Sequence, residues 1–228
     1  MKPVTNGYSD IERAAIYRVI RERRDVRTGY LPGALDDGTI ERLLRAAHNA
    51  PSVGLMQPWR FIVVRDAGLR AAVHGNFLEA NSAAAAIYRG ERAEFYSGLK
   101  LEGLLEAPQH LCVVCDGTSQ QGHGLGRHTI PQSAAYSVVC AVQNLWLAAR
   151  AEGVGVGWIS IVDPPGIKKL LRIPEHMDLV AYLCLGYVRK FAATPDLERA
   201  GWEFRVDAAS LIRADFFDQP YSCSQADQ

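Results

Sequence analysis

Between Asp10 and Arg24 the apolar residues Ile11, Ala15, Val19 and Ile20 fall near one face of a helix, behind a Ser9–Asp10 pair able to cap it. A second helical stretch, IERLLRAAHNA, ends ahead of Pro51, because the residue before a proline is pushed out of the helical region. The period then changes. WRFIVVRD, HLCVVCD, VGWISIV and DLVAYLCLGYV are short and rich in β-branched and aromatic residues, which predicts strands. SAAYSVVCAVQNLWLAARAEG is the longest helical stretch and is apolar round much of its girth, so it predicts a central buried helix. DPPGIKKLLRI predicts a short helix with Asp163 as cap and proline in its first turn. Residues 66–98 predict irregular helix with many small and polar side chains, a lid-like segment that builds little core. GYLPGALDDGT and GTSQQGHGLGRHTIPQS read as loops, with GHGLGR (122–127) inside the second a flexible stretch. Residues 190–228 read as an irregular arm, with a short helix near DAASLIR, long enough to wrap a partner subunit. Helices precede and separate the strands, with no repeat and no obvious linker. The expectation is a single domain over residues 1–228, of α/β or α+β class.

Composition narrows the function classes. Lysine plus arginine equals aspartate plus glutamate, 25 each, and this balance argues against a bulk nucleic-acid binder. No run of about 18 apolar residues predicts a membrane span. MKPVTNGYSDIERAA lacks the apolar core of a signal peptide, and five cysteines without an export signal imply a cytoplasmic protein with free thiols.

Several motifs carry less than they suggest. GVGVGW (153–158) fails the dinucleotide fingerprint, since Trp158 stands where the third glycine belongs and a helix leads into the glycines. Gly153 reads instead as a helix C-cap before a tight turn. Cys112 and Cys115 have redox or zinc spacing, but on a strand they point to opposite faces, and no second pair follows. The histidines lack metal-ligand spacing, and GHGLGR (122–127) lacks a strand–helix context. No metal site is predicted.

RRDVR (23–27) is different. Cations at a helix end favour the macrodipole, but three arginines exceed that need. Their planar forks suit phosphate oxygens, and Arg23, Arg24 and Arg27 lie where tips can converge on one anion. Asp25 repels such an anion, which makes it a candidate proton acceptor or hydrogen-bond anchor. Structural ion pairing explains the cluster equally well.

Three segments in order, RRDVR, AAHNAPSVGLMQPWRFIVV and AVQNLWLAARAEGVGVGWISI, resemble the flavin-binding nitroreductase superfamily, over about residues 10–215. Asp25, the SVGLMQPW variant and the serine of GWIS are similar to its flavin-cleaving, dimethylbenzimidazole-forming branch. The resemblance implies an α+β fold, a central mixed sheet flanked by helices, and a homodimer that exchanges C-terminal arms and binds flavin mononucleotide (FMN) at the interface. It implies that Arg23, Arg24, Asp25, Val26 and Arg27 contact the phosphate and the polar edge of the flavin. Pro51 and Ser52 of the other subunit line the ring, Leu99 and Lys100 lie near its pyrimidine side, and Ser160 lies near its reactive centre. Arg205 matches a late phosphate-contacting residue, although the second basic residue common two positions earlier is here Glu203. The implied reaction consumes reduced FMN as substrate, supplied by a separate flavin reductase, with molecular oxygen as co-substrate. The products are 5,6-dimethylbenzimidazole, the lower ligand of cobalamin, and erythrose 4-phosphate. Asp25 and Ser160 are the implied catalytic residues. An NAD(P)H-dependent nitroreductase or flavin reductase, and a flavin-storage protein, are the competing expectations.

Overall fold

The computed structural model describes residues 7–221. The chain divides into two units, Met1–Ala193 and Thr194–Gln228. The first holds α1 (Asp10–Glu22), α2 (Asp37–His48), β1 (Trp59–Val64), α3 (Ala67–Ala85), α4 (Glu91–Ser97), β2 (Gln109–Cys115), α5 (Ser133–Ala151), β3 (Val154–Ile159), α6 (Pro164–Leu170) and β4 (Asp178–Tyr187). The strands form one sheet in the order β1-β2-β4-β3, with every ladder antiparallel. The sheet is therefore antiparallel where a mixed one was expected; the parallel pairing among the described residues is an isolated bridge, Asp25 to Val156, on the outer edge of β3.

Alternation along the strands sorts the core into two layers. Leu111, Val113 and Cys115 of β2, with Ala181, Leu183 and Leu185 of β4, face α2 and α5. Cys112 and Val114, with Tyr182 and Cys184, face the opposite layer, which contains Val73 and Phe77 of α3 and Ile167 of α6. Period-2 geometry thus puts the two thiols of CVVC in separate cores. Burial pushes Cys112 up to about 12 and Cys115 up to about 11, so both are inert as nucleophiles. No cluster of metal-ligating residues occurs among the described residues. Cys223 lies outside them.

Helix starts follow local chemistry. Ser9 and Glu12 form a reciprocal capping box on α1, and Asp36, Asp66 and Asp163 each accept a backbone N–H at the start of α2, α3 and α6. Gly153, at φ 78°, turns α5 directly into β3, as the glycine pattern predicts. β3 therefore begins at Val154 and ends at Ile159, about two residues ahead of the VGWISIV expectation, and Ser160 falls just past the strand.

Three expectations about packing change. α5 buries eight of its residues, yet Tyr136, Val139 and Cys140 form an exposed row along it. α1 buries none, and its apolar stripe stays in solvent, with Ile11 84% exposed. The 66–98 segment is not one lid-like piece. α3 is a core helix through Val73 and Phe77, and Asn76 exchanges hydrogen bonds with the backbone of Asp163 (3.2 and 2.9 Å). Beyond α3, Tyr96 stacks on Tyr88 at 4.7 Å and donates to Asn81 (2.7 Å), which ties α4 back to α3. Period alone could not reveal this, because α3 is apolar on a narrow strip amid alanines.

In the second unit, α7 (Asp196–Arg199) and a short 3-10 turn (Ala208–Leu211) are the regular elements among its described residues, and Phe204, Val206, Phe216 and Phe217 are exposed. No helix among the described residues is long and apolar enough to cross a membrane.

Candidate functional site

The RRDVR segment leaves α1 at Arg23 and runs extended along the free edge of β3. Val26 donates its N–H to Val156 (2.9 Å), so the segment covers an edge that would otherwise expose unpaired backbone. This placement explains the glycines of GVGVGW. A Cβ on Gly157 would sit 2.2 Å from the Val26 carbonyl oxygen, and one on Gly155 would sit 2.5 Å from Val188 and 3.1 Å from Val26. The glycines serve close backbone approach, not a nucleotide.

Asp25 is the centre of the arrangement. Its Oδ1 accepts the Trp158 N–H at 2.9 Å, and its Oδ2 accepts Arg27 Nε (3.1 Å) and Nη2 (2.8 Å). Arg27 also donates through Nη1 to the Lys100 carbonyl at 3.1 Å, so three of its five N–H groups are used and two remain. The three arginines have different neighbours. Arg23 lies over the Trp146 ring at 4.7 Å, and Trp146 Nε1 donates to the Arg24 carbonyl. Arg24 donates to the carbonyls of Arg21, Arg23 and Ala193, and its Nε is buried with no hydrogen-bond partner. Val26 faces inward, with its N–H given to Val156 and its carbonyl accepting the Tyr30 hydroxyl. Both of its backbone polar groups are thus engaged within the protein.

Lys100 joins this cluster through its carbonyl, and Leu99 beside it is half-buried. Ser160 lies two residues beyond Trp158, roughly 6–7 Å along an extended chain. It is exposed, and its hydroxyl makes no hydrogen bond among the described residues, in contrast to a strand hydroxyl spent on backbone. Pro51 and Ser52 stand elsewhere, in the turn between α2 and β1, where Val53 N–H donates to Ser137 and Gln57 N–H to Ser52 Oγ. No hydrogen bond or ion pair among the described residues joins this turn to Asp25 or Arg27. Arg205 belongs to the second unit, exposed, with Nε 4.0 Å from Glu198.

Sequence reasoning missed two features. Gly54, Leu55 and Gln57 all have positive φ (55°, 55° and 46°), a strained run for non-glycines at about 1–2 kcal/mol each. It is held by the 117–130 loop, whose 122–127 stretch is expected to be flexible. Gln121 donates to the Leu55 carbonyl and to Gln57 Oε1, Gly122 approaches the Gly54 carbonyl too closely for any Cβ, and Arg127 binds the carbonyls of Gly117 and Ser119. The second is Glu102, buried at 8% exposure, whose one sequence signal is an acid inside the apolar run LKLEGLL.

Residues 20–187 match the nitroreductase family model. The chain is 49% identical over 183 residues to a 5,6-dimethylbenzimidazole synthase of Rhodospirillum rubrum, covering 80% of this chain and 86% of that protein. It is 43% identical to one of Rhodobacter capsulatus, covering 86% and 95%. Among solved structures, oxidised iodotyrosine deiodinase bound to FMN and 3-iodo-L-tyrosine superposes with a TM-score of 0.71 at 23% identity, over 89% of this chain and 100% of that one, a likeness of fold. The chain belongs to the nitroreductase family, and within it resembles the 5,6-dimethylbenzimidazole synthases.

Proposed function

We propose that the protein binds reduced FMN as its substrate and, with molecular oxygen, cleaves it to 5,6-dimethylbenzimidazole, releasing erythrose 4-phosphate. The observation that carries this reading is the pairing of Asp25 with Trp158. A carboxylate is fixed on the edge of β3, two residues from a serine hydroxyl that the protein itself leaves unused.

The donors present fit an anionic, oxygen-rich ligand. Arg24 keeps an unpartnered Nε, Arg27 keeps two N–H groups, and Ser160 keeps a hydroxyl. Arg24 and Arg27 hold the phosphate and polar edge, and Leu99 and Lys100 face the pyrimidine side. Reduced flavin, when bound, supplies the electrons and the ring carbons. Asp25 accepts a proton on Oδ1, which takes only the Trp158 N–H and keeps an acceptor site that Oδ2 has spent on Arg27, and Ser160 Oγ donates or accepts a hydrogen bond at the reacting centre. Arg23 stacks on Trp146 and stiffens the segment.

A homodimer completes the site. The uncovered stripe of α1 and the Tyr136–Val139 row of α5 are apolar faces in need of a partner, and a second copy brings Pro51 and Ser52 to the ring. The C-terminal arms, rich in exposed phenylalanine, cross between copies. A separate flavin reductase supplies the reduced substrate, in the cytoplasm, where thiols such as Cys140 stay reduced.

The test is purified protein given chemically reduced FMN in air, with products identified by mass. Dimethylbenzimidazole formed without NADH or NADPH is the expected result. Rapid NADPH oxidation coupled to nitroarene reduction assigns an ordinary nitroreductase instead, and FMN recovered intact assigns a flavin-storage protein. A monomer at micromolar concentration that binds FMN stoichiometrically overturns the shared site.

A further inference from the structure

Lys100, placed above at the pyrimidine side of the flavin, belongs to an ion cluster after α4 whose two carboxylates the reaction above does not use. Glu102 Oε1 accepts from Lys100 Nζ at 2.7 Å, and its Oε2 accepts the Leu104 N–H at 2.5 Å. Its side chain is 11% exposed, whereas that of Lys100 is 44% exposed. Lys100 Nζ also lies 3.4 Å from Glu106 Oε1, and Glu106 Oε2 accepts the Gly29 N–H (3.2 Å), just beyond the arginine segment. Gly103 fits between these links because a Cβ there would meet Tyr30 at 2.9 Å and the Arg27 carbonyl at 3.1 Å. The Lys100 residue is therefore held at both ends, its carbonyl by Arg27 and its ammonium by two carboxylates.

An ammonium has three N–H donors, and two are taken. Two carboxylates on one ammonium leave a local excess of negative charge, which suits the third donor to a neutral acceptor and not to a phosphate. A buried acid earns its place only when paired, and Glu102 has its pair in a residue that reaches out to solvent.

We propose that Glu102 is a positioning residue of the flavin site, which fixes Lys100 so that its third N–H meets a carbonyl-type acceptor of the flavin ring. This rests on the flavin reading given above. Charges around Lys100 agree with the geometry. Burial pulls its ammonium down, and the hydrogen bonds and charges of Glu102 and Glu106 more than offset that, leaving it above its ordinary value. Burial pushes the Glu102 carboxyl up, and Lys100, the Leu104 N–H and the charge of His74 on α3 more than offset this, holding it below the carboxylate range.

In Glu102→Gln one oxygen becomes an amide N–H₂: turned toward the ammonium it faces a donor and releases Lys100, and turned toward the Leu104 N–H it leaves that buried donor unpartnered and gives Lys100 a neutral oxygen in place of a carboxylate, so the hold on Lys100 weakens either way. Binding of oxidised FMN and of riboflavin is measured by fluorescence titration for wild type, Glu102→Gln, Lys100→Met and the double variant, with thermal melts of each. Loss of one charge-assisted contact predicts roughly ten- to a hundredfold weaker binding in each single variant. The loss is equal for FMN and riboflavin, since the phosphate is not involved, and the double variant binds no worse than Lys100→Met. A double variant that loses the product of the two single factors, or Glu102→Gln that binds like wild type, overturns the inference. Should Glu102→Gln not fold, Glu106→Gln, on the exposed side of the same ammonium, decides. Weaker binding absent in a Lys100→Met background supports the proposal, and unchanged binding overturns it. Wild type that binds neither FMN nor riboflavin overturns the flavin reading, and this inference with it.

Discussion

Replacing Asp25 by asparagine separates anchoring from chemistry. Asn keeps an oxygen for the Trp158 N–H, but it turns an N–H₂ group toward Arg27 Nε and Nη2, both of which are donors. Two charge-assisted hydrogen bonds are lost, each worth about 1.5–3 kcal/mol when well desolvated. The Asp25 side chain is 31% exposed and Arg27 13%, so water recovers part of that loss. A net cost of about 1–3 kcal/mol follows. At roughly 2–4 °C per kcal/mol for a chain of this length, the melting temperature falls by about 2–12 °C. Chemistry should fall further, because removal of a general base costs typically 10²–10⁴-fold. The assay is the ratio of dimethylbenzimidazole formed to reduced FMN consumed, read beside the melt at a temperature where both proteins are folded. The expected result is a modest fall in melting temperature with the product ratio near zero, and FMN recovered oxidised. A lowered melting temperature with the wild-type ratio and rate refutes the proton-acceptor role and leaves Asp25 as the pin between Arg27 and β3.

Further outcomes follow from the same geometry. Arg27→Ala should weaken FMN binding roughly ten- to a hundredfold in an equilibrium titration, and unchanged affinity would return Arg27 to a purely internal role with Asp25 and Lys100. Gly157→Ala should destabilise by at least about 1–3 kcal/mol in urea titration, because its Cβ meets the Val26 carbonyl at 2.2 Å and the arginine segment must move. Wild-type stability there would mean that the segment yields freely. His110 is fully buried between Tyr182 and the Leu104 carbonyl, and burial first, then the Arg70 charge, pulls it down to about 4. The unfolded chain takes up this proton below about pH 6.5, the folded one only near 4, so its contribution is complete above 6.5 and is lost as pH falls toward 4. That interval is worth about 3 kcal/mol, and the gap in stability between pH 7 and 4.5 should be smaller in His110→Gln; equal slopes would sink the assignment.

The sequence by itself determined the elements. Strand, helix and cap are decided within a few residues, so Ser9, Asp163 and Gly153 could be read as cap and turn residues before any fold was known. So could the opposed faces of Cys112 and Cys115, which follow from a period of two. Family membership was legible as well, because the motifs that carry it are contiguous. Tertiary structure alone decided what long-range contact decides. It put RRDVR against the edge of β3, gave Asp25 the Trp158 N–H as a partner 133 residues away, and spent Arg23, Arg24 and Arg27 on different neighbours. It also made α3 a core helix and turned the 117–130 loop into a brace for a strained turn. Glu102 shows the reason most plainly. Its partners Lys100 and Leu104 are two residues away on either side, but the burial that makes them necessary comes from distant chain, with Arg27 bound to the Lys100 carbonyl and Tyr30 against Gly103, and a carboxylate is buried at tolerable cost only where its partners already wait.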